Sequence, residues 1–113
     1  MKNKVIRVIT TLFVTALTAR MGSYYNTETG FTEKYYNLPM KKVVAMADKA
    51  MDVRDQYWIR EDGVKMYGYW VICASHPSID RFTIIDTSLG EGIILDRHTV
   101  LDDPDLIDIA TTW

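Results

Sequence analysis

The chain has 113 residues, 48% apolar and 25% charged, with one cysteine and a net charge of −2. That length allows one domain, residues 1–113, around one modest core. A lone Cys73 excludes a disulfide framework and a cysteine-rich zinc site, and the weak negative charge excludes general attraction to nucleic acid. The charge is uneven: in residues 80–113 seven Asp and one Glu face only Arg81 and Arg97, a net of −6, so residues 1–79 carry +4. The acidic end is the place to look for a site.

Residues 1–21 open with Met1-Lys2-Asn3-Lys4 and continue through Val5–Ala19, a run rich in Val, Ile and Thr. β-Branched residues are stiff at χ1 and suit strands, so one or two strands pairing into the fold are expected there. The alternative is a signal peptide or anchor, since a basic start, an apolar middle and small residues near the end have that outline. Arg7 interrupts the run and it is short, so no stable membrane-spanning helix is expected. Gly22–Asn37 reads as a loop, and its tyrosines at 24, 25, 35 and 36 either line a glycan groove or cover the edge of the core.

Pro39–Met51 predicts a helix, about residues 39–52. Pro39 suits a first turn, and Met40, Val43, Val44, Ala47 and Met51 recur on one stripe, opposite Lys41, Lys42, Asp48 and Lys49. Tyr57–Arg60 and Val64–Tyr67 flank Asp62-Gly63 and predict a hairpin. Tyr69–Ala74 is continuously apolar and predicts a central strand, with Cys73 as a small buried side chain. His76-Pro77-Ser78 turns the chain, and Arg81–Ile85 predicts the next strand. Short strands, frequent turns and one amphipathic helix together predict a mainly β fold.

Two apolar runs near the end, Ile93-Ile94-Leu95 and Leu106-Ile107, each finish on an aspartate, Asp96 and Asp108. A carboxylate at the end of a buried strand sits on rigid backbone and is partly desolvated, the two conditions that tune a carboxyl for proton transfer. The plain structural reading is that both accept backbone N–H bonds. Thr87, Ser88 and Gly90 precede the first run; small polar residues and glycine permit close approach by a substrate, or simply make a turn. His76 and His98 are the only histidines. With Asp102, Asp103 and Asp105 they match no metal-ligand spacing, and that aspartate cluster reads as a solvated turn. No metal and no cofactor are expected.

The pattern Gly90-x-Gly92-Ile93-Ile94-x-Asp96, a loop, then Ile107-Asp108-Ile109-Ala110-x-x-Trp113 resembles the three-aspartate domain, a double-psi β-barrel found in lytic transglycosylases. The stretches Tyr35–Met40 and Asp62–Met66 are similar to a short clostridial and phage-type branch of these proteins, so the likeness runs over most of Tyr35–Trp113. Where the family has Asp-Thr-Gly this chain has Asp96-Arg97-His98, and His76, before Pro77, takes the place of the family's first aspartate. The resemblance implies a small six-stranded double-psi barrel acting on peptidoglycan glycan strands at the cell envelope or outside the cell. It implies Asp96 as the acid/base and Asp108 assisting, with His76, Thr87, Ser88, Gly90 and His98 on the substrate. The alternative is a non-catalytic barrel that binds glycan or protein, or a structural phage component. Oligomeric state does not follow from the sequence.

Overall fold

The computed structural model describes residues 22–98 and 102–113; the expectation for residues 1–21 lies outside them. The described residues form a mainly β structure with one α-helix. Strands β1 (Tyr24–Tyr25), β2 (Thr32–Tyr36), β3 (Tyr57–Ile59), β4 (Lys65–Tyr67), β5 (Trp70–Ser75), β6 (Ile84–Thr87), β7 (Gly90–Arg97) and β8 (Leu106–Ala110) belong to one sheet, and helix α1 spans Lys41–Met51. The described residues hold eight strands, not six, because Gly22–Asn37 is not a loop: it supplies β1 and β2.

The sheet runs β1-β2-β8-β5-β4-β3, and β7, with β6 beyond it, pairs on the other side of β5. Among the described residues it does not close into a barrel. Two pairs are parallel, β2 with β8 and β5 with β7; the remaining pairs are antiparallel. β5 is the hub, as its unbroken apolar sequence requires. Cys73, Ala74 and Ser75 pair with β8 while Val71–Ser75 pair with β7. A bridge between Val64 and Thr111 joins β4 to the end of β8.

Each face of the sheet carries its own core. One gathers Val64, Met66, Val71, Cys73, Leu89, Ile94, Ile107 and Ile109. The other gathers Tyr67, Ile72, Ile93, Leu95 and Ala110 under α1, which contributes Met40, Val43, Val44, Ala47 and Met51, the stripe predicted from the sequence. Pro39 falls just before the N-cap, Met40, rather than inside the first turn. At the other end Asp52 takes the left-handed C-cap conformation, its N–H donating to the Asp48 carbonyl. Asp48 is not merely on the solvated face: its carboxylate accepts the Tyr67 hydroxyl at 2.7 Å and ties the helix to β4.

The β3–β4 hairpin turns at Glu61-Asp62-Gly63, as expected. Gly63 has φ +84°, and an added Cβ would lie 2.5 Å from Thr112 Oγ1 and 2.8 Å from Trp113 Cδ1. The C-terminal Trp113 therefore lies on the hairpin, its Nε1–H donating to the Asp62 carbonyl at 2.7 Å. Phe82, at φ 71°, breaks the strand expected from Arg81, so β6 begins only at Ile84.

Glu33 is the unexpected member of the first core. It pairs with Ile107 and so points inward, and it is 1% exposed. Its carboxylate accepts Asn26 Nδ2–H at 3.0 Å, the Ser88 backbone N–H at 2.9 Å and the Ser88 hydroxyl. A buried carboxylate survives only when hydrogen-bonded in this way, and these bonds tie the β1–β2 turn to the β6–β7 turn.

Glu33→Ala, which removes the acceptor of three buried hydrogen bonds, is expected to cost about 3 kcal/mol of unfolding free energy. Gly92→Ala is expected to cost about 1–3 kcal/mol, since its Cβ would stand 2.8 Å from Cys73 Sγ. Urea titration of each variant against wild type checks both.

Candidate functional site

The site is decided by one extra residue in β7. Ile72 pairs with Ile93 and Cys73 with Ile94, but Ala74 pairs with Asp96; the register shifts there and leaves Leu95 unpaired. Side chains alternate between sheet faces, and paired residues share a face. Without the bulge Asp96 would follow Ile94 into the first core. With it, Asp96 joins Ile72, Ile93 and Ala74 on the helix side, the kind of re-aiming that β-bulges perform.

Asp108 on β8 also pairs with Ala74, from the opposite side. The two aspartates thus flank Ala74 in one row, on one face, two strand spacings apart, a backbone separation of about 9–10 Å. Lys34 on β2 pairs with Asp108 and extends the row. Ala74, the small residue at the centre of the row, is buried. Arg97, the next residue in β7, pairs with Ser75 and is turned to the other face. There its guanidinium donates to Ser75 Oγ at 3.2 Å and to the Ile79 carbonyl. Strand alternation therefore keeps Asp96 and the cation beside it in sequence on opposite faces.

Tyr36, two residues beyond Lys34, shares this face. Its hydroxyl donates to Asp96 Oδ2 at 3.2 Å, and the other Asp96 oxygen, Oδ1, accepts the Arg97 backbone N–H at 2.9 Å. Burial, then the charges of Asp96 and Cys73, the hydrogen bond to Asp96 and the charge of Asp108 push the Tyr36 phenol well above its ordinary value. Tyr36 is therefore a fixed donor. Burial also raises Asp108 above the usual aspartate value, against the opposing pull of His98 and Lys34. Asp96 and Asp108 are both half-buried, and neither lies beneath Trp113, whose ring packs on Tyr35 at a centroid distance of 4.8 Å.

The histidines border the row. His98, 7% exposed, has its Nε2 bonded to the Leu106 carbonyl at 2.8 Å; since a carbonyl only accepts, that nitrogen carries the proton. His76 follows β5. Its Nδ1 accepts the Ser78 N–H at 3.1 Å and its Nε2 meets Asp102 Oδ1 at 2.8 Å. The two rings are 6.4 Å apart between centroids. Asp102, placed in a plain solvated turn by its sequence, is the hydrogen-bond partner of His76.

Thr87, Ser88 and Gly90 are not brought to the row. They form the β6–β7 turn at the far end of β7, roughly 20 Å from Asp96 by strand rise. Thr87 Oγ1 donates to the Gly90 carbonyl at 2.6 Å and Ser88 is held by Glu33. With Tyr24, Asn26, Thr27, Glu28 and Asp86, Thr87 and Ser88 line a separate polar pocket. Among the described residues no group of three His, Cys, Asp or Glu is placed to hold a metal ion. Ala74, Lys34 and the specific contact of Tyr36 are the parts of the row that sequence reading missed. The one signal for them was an alanine ending the bulky run Val71–Cys73, a small residue where the strand is otherwise bulky. Comparison with models of protein families, with curated proteins and with solved structures found no match.

The raised Asp108 makes a pH prediction. Its folded-state value lies above the unfolded one, so its contribution to stability is complete below the unfolded value, about 3.9, and is lost as pH rises through the folded value. Asp108→Asn is therefore expected to melt higher than wild type at pH 7, with the gap closing by pH 3. Thermal melts at the two pH values check it, and an equal gap at both would contradict the assignment.

Proposed function

We propose that this protein cleaves peptidoglycan glycan strands in the manner of a lytic transglycosylase, with Asp108 and Asp96 as the acid/base pair. The observation that carries the reading is the row itself: a bulge sets Asp96, near the end of β7, on the same face as Asp108, in the middle of β8, on either side of an alanine. The two parallel strand pairs, β2 with β8 and β5 with β7, support a relation to double-psi barrels.

In this reading the acid role passes to Asp108. Motif position alone pointed to Asp96, but both Asp96 oxygens already accept hydrogen bonds, whereas burial favours the protonated form of Asp108. Asp108 donates its proton to the leaving glycosidic oxygen as the C1–O bond breaks. The C6 hydroxyl of the N-acetylmuramic acid residue attacks C1, and Asp96 takes the hydroxyl proton, leaving a 1,6-anhydro end. Exchange with solvent resets both carboxyls.

A second reading, a non-catalytic module that binds glycan or protein, is favoured by the exposed aromatic edge at Tyr57 and Trp58 and by Tyr69, 96% exposed. Digestion of purified peptidoglycan separates the two. Wild type is expected to release anhydro-muropeptides, and Asp108→Asn to lose about 100-fold or more of the rate. No products from folded wild type would discard the enzyme in favour of the binding module, and reducing-end products would mean a hydrolase.

A further inference from the structure

We propose that Tyr36 is the positioning residue of the Asp96–Ala74–Asp108 row, its hydroxyl fixing the Asp96 carboxylate in the orientation that receives the attacking hydroxyl's proton. The proposal rests on the glycan-cleaving reading above and adds to it a third residue, from a third strand.

The geometry is specific. In the sheet β2 is separated from β7 by β8 and β5, yet the Tyr36 hydroxyl meets Asp96 Oδ2 at 3.2 Å. The side chain leaves β2 opposite Ala110, and the row it reaches has Ala74 at its centre. Both alanines are buried. Small residues at these two places let an aromatic side chain pass across the intervening strands; Val or Leu at either would stand in its way. The ring packs against the helix-side core, so its direction is set by packing as well as by the hydrogen bond.

The contact also completes the restraint on Asp96. The Arg97 N–H holds Oδ1 and the Tyr36 hydroxyl holds Oδ2. Two donors on two oxygens fix the plane of a carboxylate that one donor would leave free to rotate. A phenol that stays protonated donates to Asp96 and does not compete with it as a base for the proton of the attacking group. Tyr36 touches no reacting atom and acts through Asp96.

The test is Tyr36→Phe, which removes one oxygen and keeps the ring, assayed on peptidoglycan beside wild type, Asp96→Asn and the double variant. A melting curve checks that each is folded. Tyr36→Phe is expected to lower kcat about 10- to 100-fold, the range of one hydrogen bond to a charged group, with KM within about twofold. In the Asp96→Asn background it is expected to change nothing further, because a residue acting through Asp96 is not additive with it. An unchanged kcat in an active protein would overturn the proposal alone, as would an equal loss in both backgrounds. Wild type without activity would overturn the glycan-cleaving reading and the proposal with it.

Discussion

Leu95 is one residue more than β5 can pair with. Strand alternation is strict, so a single unpaired residue reverses the facing of everything after it. Here it lifts Asp96 out of an apolar core, where an unpaired carboxylate would be costly, and sets it beside Ala74 opposite Asp108. It also sends Arg97 to the other face, where Ser75 and Ile79 hold it. The carboxylate row and the contact of Tyr36 with Asp96 both follow from that shift.

The hub strand β5 makes the consequence precise. Because β7 and β8 pair with Ala74 from opposite sides, two aspartates twelve residues apart in sequence become neighbours across one small side chain. Their surroundings then differ. Asp108 is burdened by burial and partly relieved by His98 and Lys34; Asp96 has a donor on each oxygen. Two carboxyls of one kind in unlike environments can take the two roles of acid and acceptor.

Much of this was legible beforehand, where one signal dominated. The stripe of α1, the Asp62-Gly63 turn and the aspartate-terminated runs of β7 and β8 each come from a period or a turn residue that little else could imitate. Thr32–Tyr36 reads as loop because its polar residues conceal a strand: Glu33 points into the core, held there by Asn26 and by Ser88, the latter 55 residues away in sequence. The bulge was invisible for a related reason. Ile93, Ile94 and Leu95 are all apolar, both faces of β7 are buried, and a run without alternation cannot reveal a skipped residue. Thr87, Ser88 and Gly90 are near Asp96 in sequence, but the extended β7 puts them at its other end.

The most direct test of the central claim is a nuclear Overhauser spectrum of the folded protein, read at the Ala74 methyl. The structure predicts cross-peaks from that methyl to the β-protons of both Asp96 and Asp108, since side chains of paired residues stand about 5 Å apart. Cross-peaks from Ala74 to Leu95 in place of Asp96, with Asp96 meeting Ser75 instead, would show an unbulged strand. Asp96 would then face away from Asp108, and the shared site would not exist.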